Sequence, residues 1–201
     1  QLTYFPTTDT PSQWNSNGDI LFTTNRVYKG PEWDPEIYSI SEKGETPKRF
    51  MTALGSQAVI SPNGDLVAFV KGACRISRED YSGPAQRDVW IYNLKTKKYY
   101  QITTSNKNDH TPLWDANNNL YYVGAESGRY NIYKTTVNAD GSSTGKAQRL
   151  TKLNTNGVWS YSVSNNGTIV YNSGIDTFKL QNGSTQKVNV NIATDNRFEL
   201  E

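Results

Sequence analysis

The chain has 201 residues, with 21 basic against 19 acidic side chains and a formal net charge of +2. That length suits one substantial core, and a charge so nearly balanced, spread over turns and outer strands, excludes a nucleic-acid surface. Hydrophobic residues make up only 35%, yet 13 Tyr and 5 Trp add bulky apolar surface, so the composition is that of a folded chain.

From about residue 9 onward one phrase recurs four times. It reads Asn17-Gly18-Asp19-Ile20-Leu21-Phe22, then Asn63-Gly64-Asp65-Leu66-Val67-Ala68-Phe69, then Asn118-Asn119-Leu120-Tyr121-Tyr122, then Asn166-Gly167-Thr168-Ile169-Val170-Tyr171. Gly18, Gly64, Asn118 and Gly167 lie 46, 54 and 49 residues apart. That period is too long for a solenoid rung and fits a propeller blade. The Asn-Gly or Asn-Asn pair supplies the positive φ of a tight hairpin.

A second phrase follows each first one, with an aromatic among apolar neighbours: Glu36 to Ile40, Asp88 to Tyr92, Asn131 to Lys134, and Asp176 to Leu180. A third closes each unit on a polar or basic run, usually ending in Thr: Lys48 to Thr52, Tyr100 to Thr103, Gln148 to Thr151, and a weaker copy from Gln186 to Val190. With one preceding strand this makes four antiparallel strands per unit. The fold class is therefore all-β, a β-propeller of about four blades, at residues 9–53, 54–104, 105–152 and 153–192. Residues 193–201 are read as an exit segment.

Gln1-Leu2-Thr3 matches Arg149-Leu150-Thr151, so it is read as the last strand of a preceding blade. The fourth unit already owns a closing strand from Gln186 to Ile192, which leaves the N-terminal strand surplus. Four blades also lie at the low end of the range that rings occupy. Both points predict part of a larger six- or seven-bladed ring, with open blade edges suited to self-association.

Cys74 is the single cysteine and forms no internal disulfide, which leaves the redox compartment open. No apolar run approaches the roughly 20 residues that span a bilayer, and no signal-like pattern opens the chain. The protein is then either cytosolic or has lost a signal that preceded residue 1.

Few residues offer chemistry. His110 is the only histidine, so a histidine-rich zinc site is ruled out, and no serine has a Gly-x-Ser-x-Gly elbow. A triad built from His110 and Asp109 competes with the plainer reading of a polar residue in an interblade connection before Pro112. Asp115, Asn117, Asn119 and Glu126 take positions 1, 3, 5 and 12 of a calcium loop, but Leu120 replaces the required glycine, so the hairpin reading wins. For Tyr121-Tyr122, Tyr99-Tyr100, Trp90, Trp114 and Trp159 a stacking platform for sugar or single-stranded nucleic acid competes with packing between blades, and their recurring strand positions favour packing. Arg87 and Asp88 are read as a structural pair. No catalytic, cofactor or metal residues are assigned.

Two insertions stand out. Asn25 to Pro35 carries Tyr28 and Trp33, and Gly72 to Gln86 carries Cys74, Arg75, Arg78, Glu79, Asp80 and Tyr81. A long loop on a rigid scaffold is where recognition usually resides, and Arg meets a carboxylate in bidentate geometry. Arg75, Arg78, Glu79 and Tyr81 are the candidate contacts for a peptide or protein. The plainer reading of the loop is a solvated surface or a contact with another domain.

Three stretches resemble a known family: Arg78-Glu79-Asp80-Tyr81 with Gly83 to Tyr92, Asn108-Asp109-His110-Thr111-Pro112-Leu113-Trp114, and Ser127-Gly128-Arg129-Tyr130-Asn131-Ile132-Tyr133. The chain is similar there to the propeller of bacterial tricorn-like serine peptidases of the C-terminal-processing class, and Lys187 to Asp195 resembles the strand leading out of that propeller. Asp115-Ala116-Asn117 stands where Ser-Pro-Asp is usual and Asn165-Asn166-Gly167 lacks the proline, departures expected to loosen single turns.

The resemblance implies a noncatalytic module that gates or docks peptides and scaffolds a peptidase core. It also implies a PDZ-like module and a nucleophilic serine downstream, to which nothing in this chain can be matched. An extracytoplasmic, periplasmic or secreted location goes with that reading. Two alternatives stand beside it: a stand-alone TolB-like binding or scaffold propeller in the periplasm, and the propeller of a prolyl-oligopeptidase-like enzyme. The domain after Glu201 separates them.

Overall fold

The computed structural model describes residues 1–26, 34–145 and 147–191. Tyr28, Trp33 and the exit segment 193–201 lie outside them. Sixteen strands form four antiparallel sheets, each a four-stranded meander in chain order. The first sheet holds β1 (Thr10–Trp14), β2 (Asp19–Thr24), β3 (Glu36–Ser41) and β4 (Lys48–Leu54). The second holds β5 (Ser56–Ile60), β6 (Leu66–Lys71), β7 (Asp88–Asn93) and β8 (Tyr99–Gln101). In the third are β9 (Asp109–Trp114), β10 (Asn119–Gly124), β11 (Asn131–Thr136) and β12 (Gln148–Arg149), and in the fourth β13 (Val158–Val163), β14 (Ile169–Ser173), β15 (Asp176–Gln181) and β16 (Ser184–Val188). These are propeller blades.

The turn residues act as their chemistry requires. Gly18, Gly64, Asn118 and Gly167 have φ of 86°, 78°, 56° and 79°, values that Gly and Asn reach at least cost. Each donates its N–H to the carbonyl three residues back, on Asn15, Ser61, Asp115 and Ser164, at 2.8–3.2 Å. The departure at Asp115 does not loosen its turn. The Asp115 carboxylate accepts from the Asn117 and Asn119 amides at 2.9 and 3.0 Å, from Asn119 Nδ2 at 2.7 Å and from the Tyr121 hydroxyl at 3.0 Å. Burial alone would raise its pKa, but these bonds hold it below the usual carboxylate range. The closing threonines are explained as well: Thr103 and Thr151 are buried and accept the Val89 and Ile132 amides, each at 2.9 Å.

Blades stack face to face around β1, β5, β9 and β13 as the inner strands, each of which carries a bulge near its start. Three apolar layers fill the interfaces. Leu21, Ile37 and Met51 meet Ala58, Val67 and Phe69 between the first and second blades. Val59, Ala68, Val89 and Ile91 meet Leu120, Tyr122 and Tyr133 between the second and third. Tyr121, Val123 and Ile132 meet Ile169, Tyr171 and Leu180 between the third and fourth. Hydrogen bonds stitch neighbouring inner strands: Ser12 Oγ donates to Ala58 O at 2.7 Å, Gln57 Oε1 accepts from Thr111 N at 2.8 Å, Trp114 Nε1 donates to Val59 O at 3.2 Å, and the Tyr161 hydroxyl donates to Thr111 O at 2.6 Å. Buried backbone at the bulges is thereby satisfied.

The ends of the stack differ from the sequence reading. Because blades pack by their faces, a face rather than a strand edge closes each end. Gln1–Thr3 pairs with none of the four blades, and Leu2 packs on Phe22, Tyr38 and Ile40 of the first blade.

Candidate functional site

Residues 72–86 form a strap that leaves β6, crosses to the third blade and returns to β7. Cys74 N donates to Ala85 O at 2.8 Å and closes its neck. Two successive turns follow, from Arg78 N to Arg75 O at 3.0 Å and from Tyr81 N to Arg78 O at 3.2 Å. Its underside is tied to the third blade, where Tyr130 Oη donates to Ile76 O at 2.7 Å and Asn108 Nδ2 donates to Arg78 O at 2.7 Å, and to its own blade, where Arg87 Nε donates to Cys74 O.

The structure separates the four candidate residues. Glu79 belongs to the underside, where it pairs with Arg129 at 2.8 Å and accepts the Tyr130 amide at 3.2 Å. A Cβ on Gly157 would strike the Glu79 carboxylate, so the start of the fourth blade is shaped to this contact. Arg78 and Tyr81 stay together on the outer side, with the guanidinium 4.7 Å from the ring centroid. Arg75 is exposed beside them. The strap thus fixes Glu79 as a structural clamp and presents Arg75, Arg78 and Tyr81 outward. Arg87 and Asp88 do not pair with each other: Arg87 reaches Cys74 O and Ser56 Oγ, while Asp88 accepts from Gln86 Nε2 at 3.1 Å.

His110 is not in a connection. It is the second residue of β9, 2% exposed, edge-on to Tyr130 at 4.7 Å, with Nδ1 bonded to Thr111 Oγ1 at 2.7 Å. Burial first, and then the Arg87 charge, push its pKa down to about 3, so the imidazole is neutral. Burial drives its neighbour Asp109 the other way, up to about 7, against hydrogen bonds from Ser105 and Thr103. Successive strand residues face opposite sides, which points these two side chains away from each other and denies them the geometry of a catalytic pair. Of the calcium-loop set, Asp115 and Asn119 bond to each other within the turn, and Glu126 follows the far end of β10.

The aromatic reading holds for Tyr121, Tyr122, Trp90, Trp114 and Tyr99, which pack in or against the interface layers. Trp159, on the fourth blade, is 70% exposed. It sits at the bulge of β13, unpaired between Val158↔Ser173 and Ser160↔Asn172. A cleft of about 450 Å³ opens there, lined by Ile76 and Glu79 of the strap, Arg129 and Tyr130 of the third blade, and Asn156 and Trp159 of the fourth. The sequence reading did not group Arg129 and Asn156 with Trp159, because three separate blades supply the cleft. The available signal was the polar spacing Ser160, Ser162 and Asn172 beside Trp159.

Comparison with known proteins shows where this architecture recurs. The tricorn protease crystal structure superposes with a TM-score of 0.75 at 12% identity, over 93% of this chain and 18% of that one. TolB from Agrobacterium tumefaciens gives 0.64 at 16% identity, over 85% and 60%. The propeller domain of the Trilobed protease from Pyrococcus furiosus gives 0.57 at 15%, over 90% and 57%. The chain spans less than two thirds of each of these, and at such identities they speak for the fold. Among curated proteins no sequence matches. The family model for the tricorn protease N-terminal beta propeller domain matches residues 1–186. This chain therefore belongs to the family of tricorn protease N-terminal β-propeller domains.

Proposed function

We propose that the chain is the noncatalytic propeller module of a bacterial tricorn-like serine peptidase (S41-type), working outside the cytoplasm. It docks or gates peptide substrates and scaffolds peptidase and PDZ-like domains carried elsewhere in a parent protein. The observation that supports this reading is the strap, rigid beneath and cationic above. Arg78, stacked on Tyr81, needs little ordering before it meets a partner, and Arg75 is exposed near it; a peptide carboxylate matches their donors. Titrating a fluorescent peptide with a free C-terminus, and its amidated twin, against the wild type and an Arg75→Ala/Arg78→Ala variant tests the docking role. The free acid should bind more tightly and lose about tenfold in the variant, near 1.4 kcal/mol. Equal affinities throughout would sink it.

The TolB likeness supports a second reading, a stand-alone periplasmic scaffold. The intact mass of the native polypeptide, read together with labelling by a serine-directed probe, separates the two. A mass several times 22.6 kDa with labelling outside these residues favours the peptidase parent.

A further inference from the structure

We infer that Arg87 and His110 form a binding site for a small oxyanion, a carboxylate or a phosphate group, where the inner strands of the second and third blades begin. Ser56 and His110 hold matching places there. Each comes just before the bulge of its inner strand, where Gln57 and Thr111 take φ of 55° and 52°, and the Thr111 amide ties the two strands together by donating to Gln57 Oε1. Arg87 joins both blades at this point. Its amide donates to Asn108 Oδ1 at 2.9 Å, its carbonyl accepts from Asp109 N at 2.8 Å, and its guanidinium reaches Ser56 Oγ at 3.5 Å.

The first observation is an unpaired charge. A guanidinium carries five N–H donors, and Arg87 uses one on Cys74 O and one on the long bond to Ser56. It forms no ion pair with any carboxylate of the described residues. Burial lowers its pKa, while Cys74, Tyr130 and Asp34 act against that, Asp34 without pairing. Arg87 is only half-buried, so a dissolved ligand can reach it. A cation drawn part-way out of water with open donors is stabilised by an anionic partner.

The second observation is an orphaned nitrogen. His110 is buried, and its Nε2 has no hydrogen-bond partner, which is rare for a buried polar atom. Burial and then the Arg87 charge keep the ring neutral, so one nitrogen donates and the other accepts. Nδ1 faces the Thr111 hydroxyl, and a hydroxyl donates as readily as it accepts. With Thr111 donating, the ring proton sits on Nε2 as a buried N–H without an acceptor. The same Arg87 charge repels a metal cation from that nitrogen. One oxyanion answers both groups, since the guanidinium supplies charge and a fork of donors and Nε2–H supplies another. Neither Arg75 nor Arg78 takes part, so the site does not rest on the docking role.

His110 is the only histidine, so a single imidazole resonance reports on the site. The test is to titrate the full chain near neutral pH with phosphate, sulfate and acetate, holding ionic strength constant with sodium chloride. At least one should move that resonance to saturation with a midpoint below about 10 mM, and the order of acetate and phosphate tells a carboxylate site from a phosphate site. Arg87→Gln should weaken binding about tenfold, and Arg87→Lys, which keeps the charge and loses the fork, should weaken it less. The Arg75→Ala/Arg78→Ala variant should bind the anion as the wild type does, whatever becomes of the peptide. No saturable movement in the wild type with any of the three at about 50 mM overturns the inference, and that result needs no variant to fold. Equal movement with chloride alone, or an unchanged midpoint in a folded Arg87→Gln, overturns it as well.

Discussion

The first and fourth blades have the same meander and opposite outer faces. On the first, Pro11, Phe22 and Tyr38 form one row and Trp14, Ile20 and Ile40 the next. Segment 1–9 covers part of this apolar surface: Leu2 packs on it, and Arg26 lies 5.2 Å above both the Phe5 and Phe22 rings while pairing with Asp9. Phe22 is left 3% exposed. The corresponding face of the fourth blade is polar, with Val170 39% exposed. Topology is thus indifferent to which faces are apolar, and alternation along each strand decides it. The middle strand Leu66–Val70 is buried at every position, whereas Ile169–Ser173 alternates buried and exposed.

The largest test of this contrast is a pair of truncations. Phe22→Ala should cost about 3–5 kcal/mol in urea unfolding and Val170→Ala under about 1 kcal/mol. Similar losses would mean that the first face is not held shut.

A smaller effect separates the interior from both faces through pH. Asp109 is raised to about 7, so its burial costs nothing below its unfolded value and progressively more as pH rises from about 4 to 7. His110 is lowered to about 3, so it contributes stability above about 6.5 that is lost as pH falls. Between pH 4 and 6.5 the two slopes oppose each other. Asp109→Asn should leave the histidine slope alone, with stability rising about 1.4 kcal/mol per pH unit, and His110→Gln should show the reverse sign. Flat profiles in both variants would refute the opposition.

The smallest effect belongs to the cover of the first blade. Burial raises the Asp9 carboxyl, but bonds from Arg26, Thr24 and Thr3 outweigh it and leave the pKa below the ordinary value. Its stabilisation is present above about pH 4 and fades as pH falls through the lower folded value. Arg26→Met should remove about 1–2 kcal/mol at pH 7 and abolish that acid limb, read as faster hydrogen exchange at Phe22 and Tyr38 with the fourth blade unchanged. Equal changes at both ends would erase the distinction between them.

Much of this was legible in the sequence, because the turn positions impose a backbone sign that few residues tolerate. Gly18, Gly64, Asn118 and Gly167 mark all four blades by that requirement alone. Alternation gave the strands, and the strap was visible as excess length between β6 and β7. Glu79 could not be sorted from Arg75 and Arg78, since its partner Arg129 lies 50 residues away. The exposure of Trp159 was not legible either, because strand position does not fix the packing at a bulge. Gln1-Leu2-Thr3 carried a strand-like composition, and the sequence did not show that Leu2 would pack on the hydrophobic face of the first blade.

The hairpin turns also bear on how this protein ages. An asparagine followed by glycine deamidates when the glycine nitrogen attacks the asparagine side-chain carbonyl and expels ammonia, and water then opens the cyclic imide to isoaspartate or aspartate; such residues are among the thermally labile ones. At Asn17, Asn63 and Asn166 that nitrogen is engaged, since Gly18, Gly64 and Gly167 each donate to a carbonyl three residues earlier. Asn182-Gly183 is built differently, as a two-residue loop between the Gln181↔Ser184 pair with φ of 51° and 76°. A loop of that kind closes its bond between the flanking residues and leaves the glycine N–H outside it. Peptide mapping of stored protein should find isoaspartate at Asn182 before Asn17, Asn63 and Asn166, which remain intact for as long as their blades stay folded.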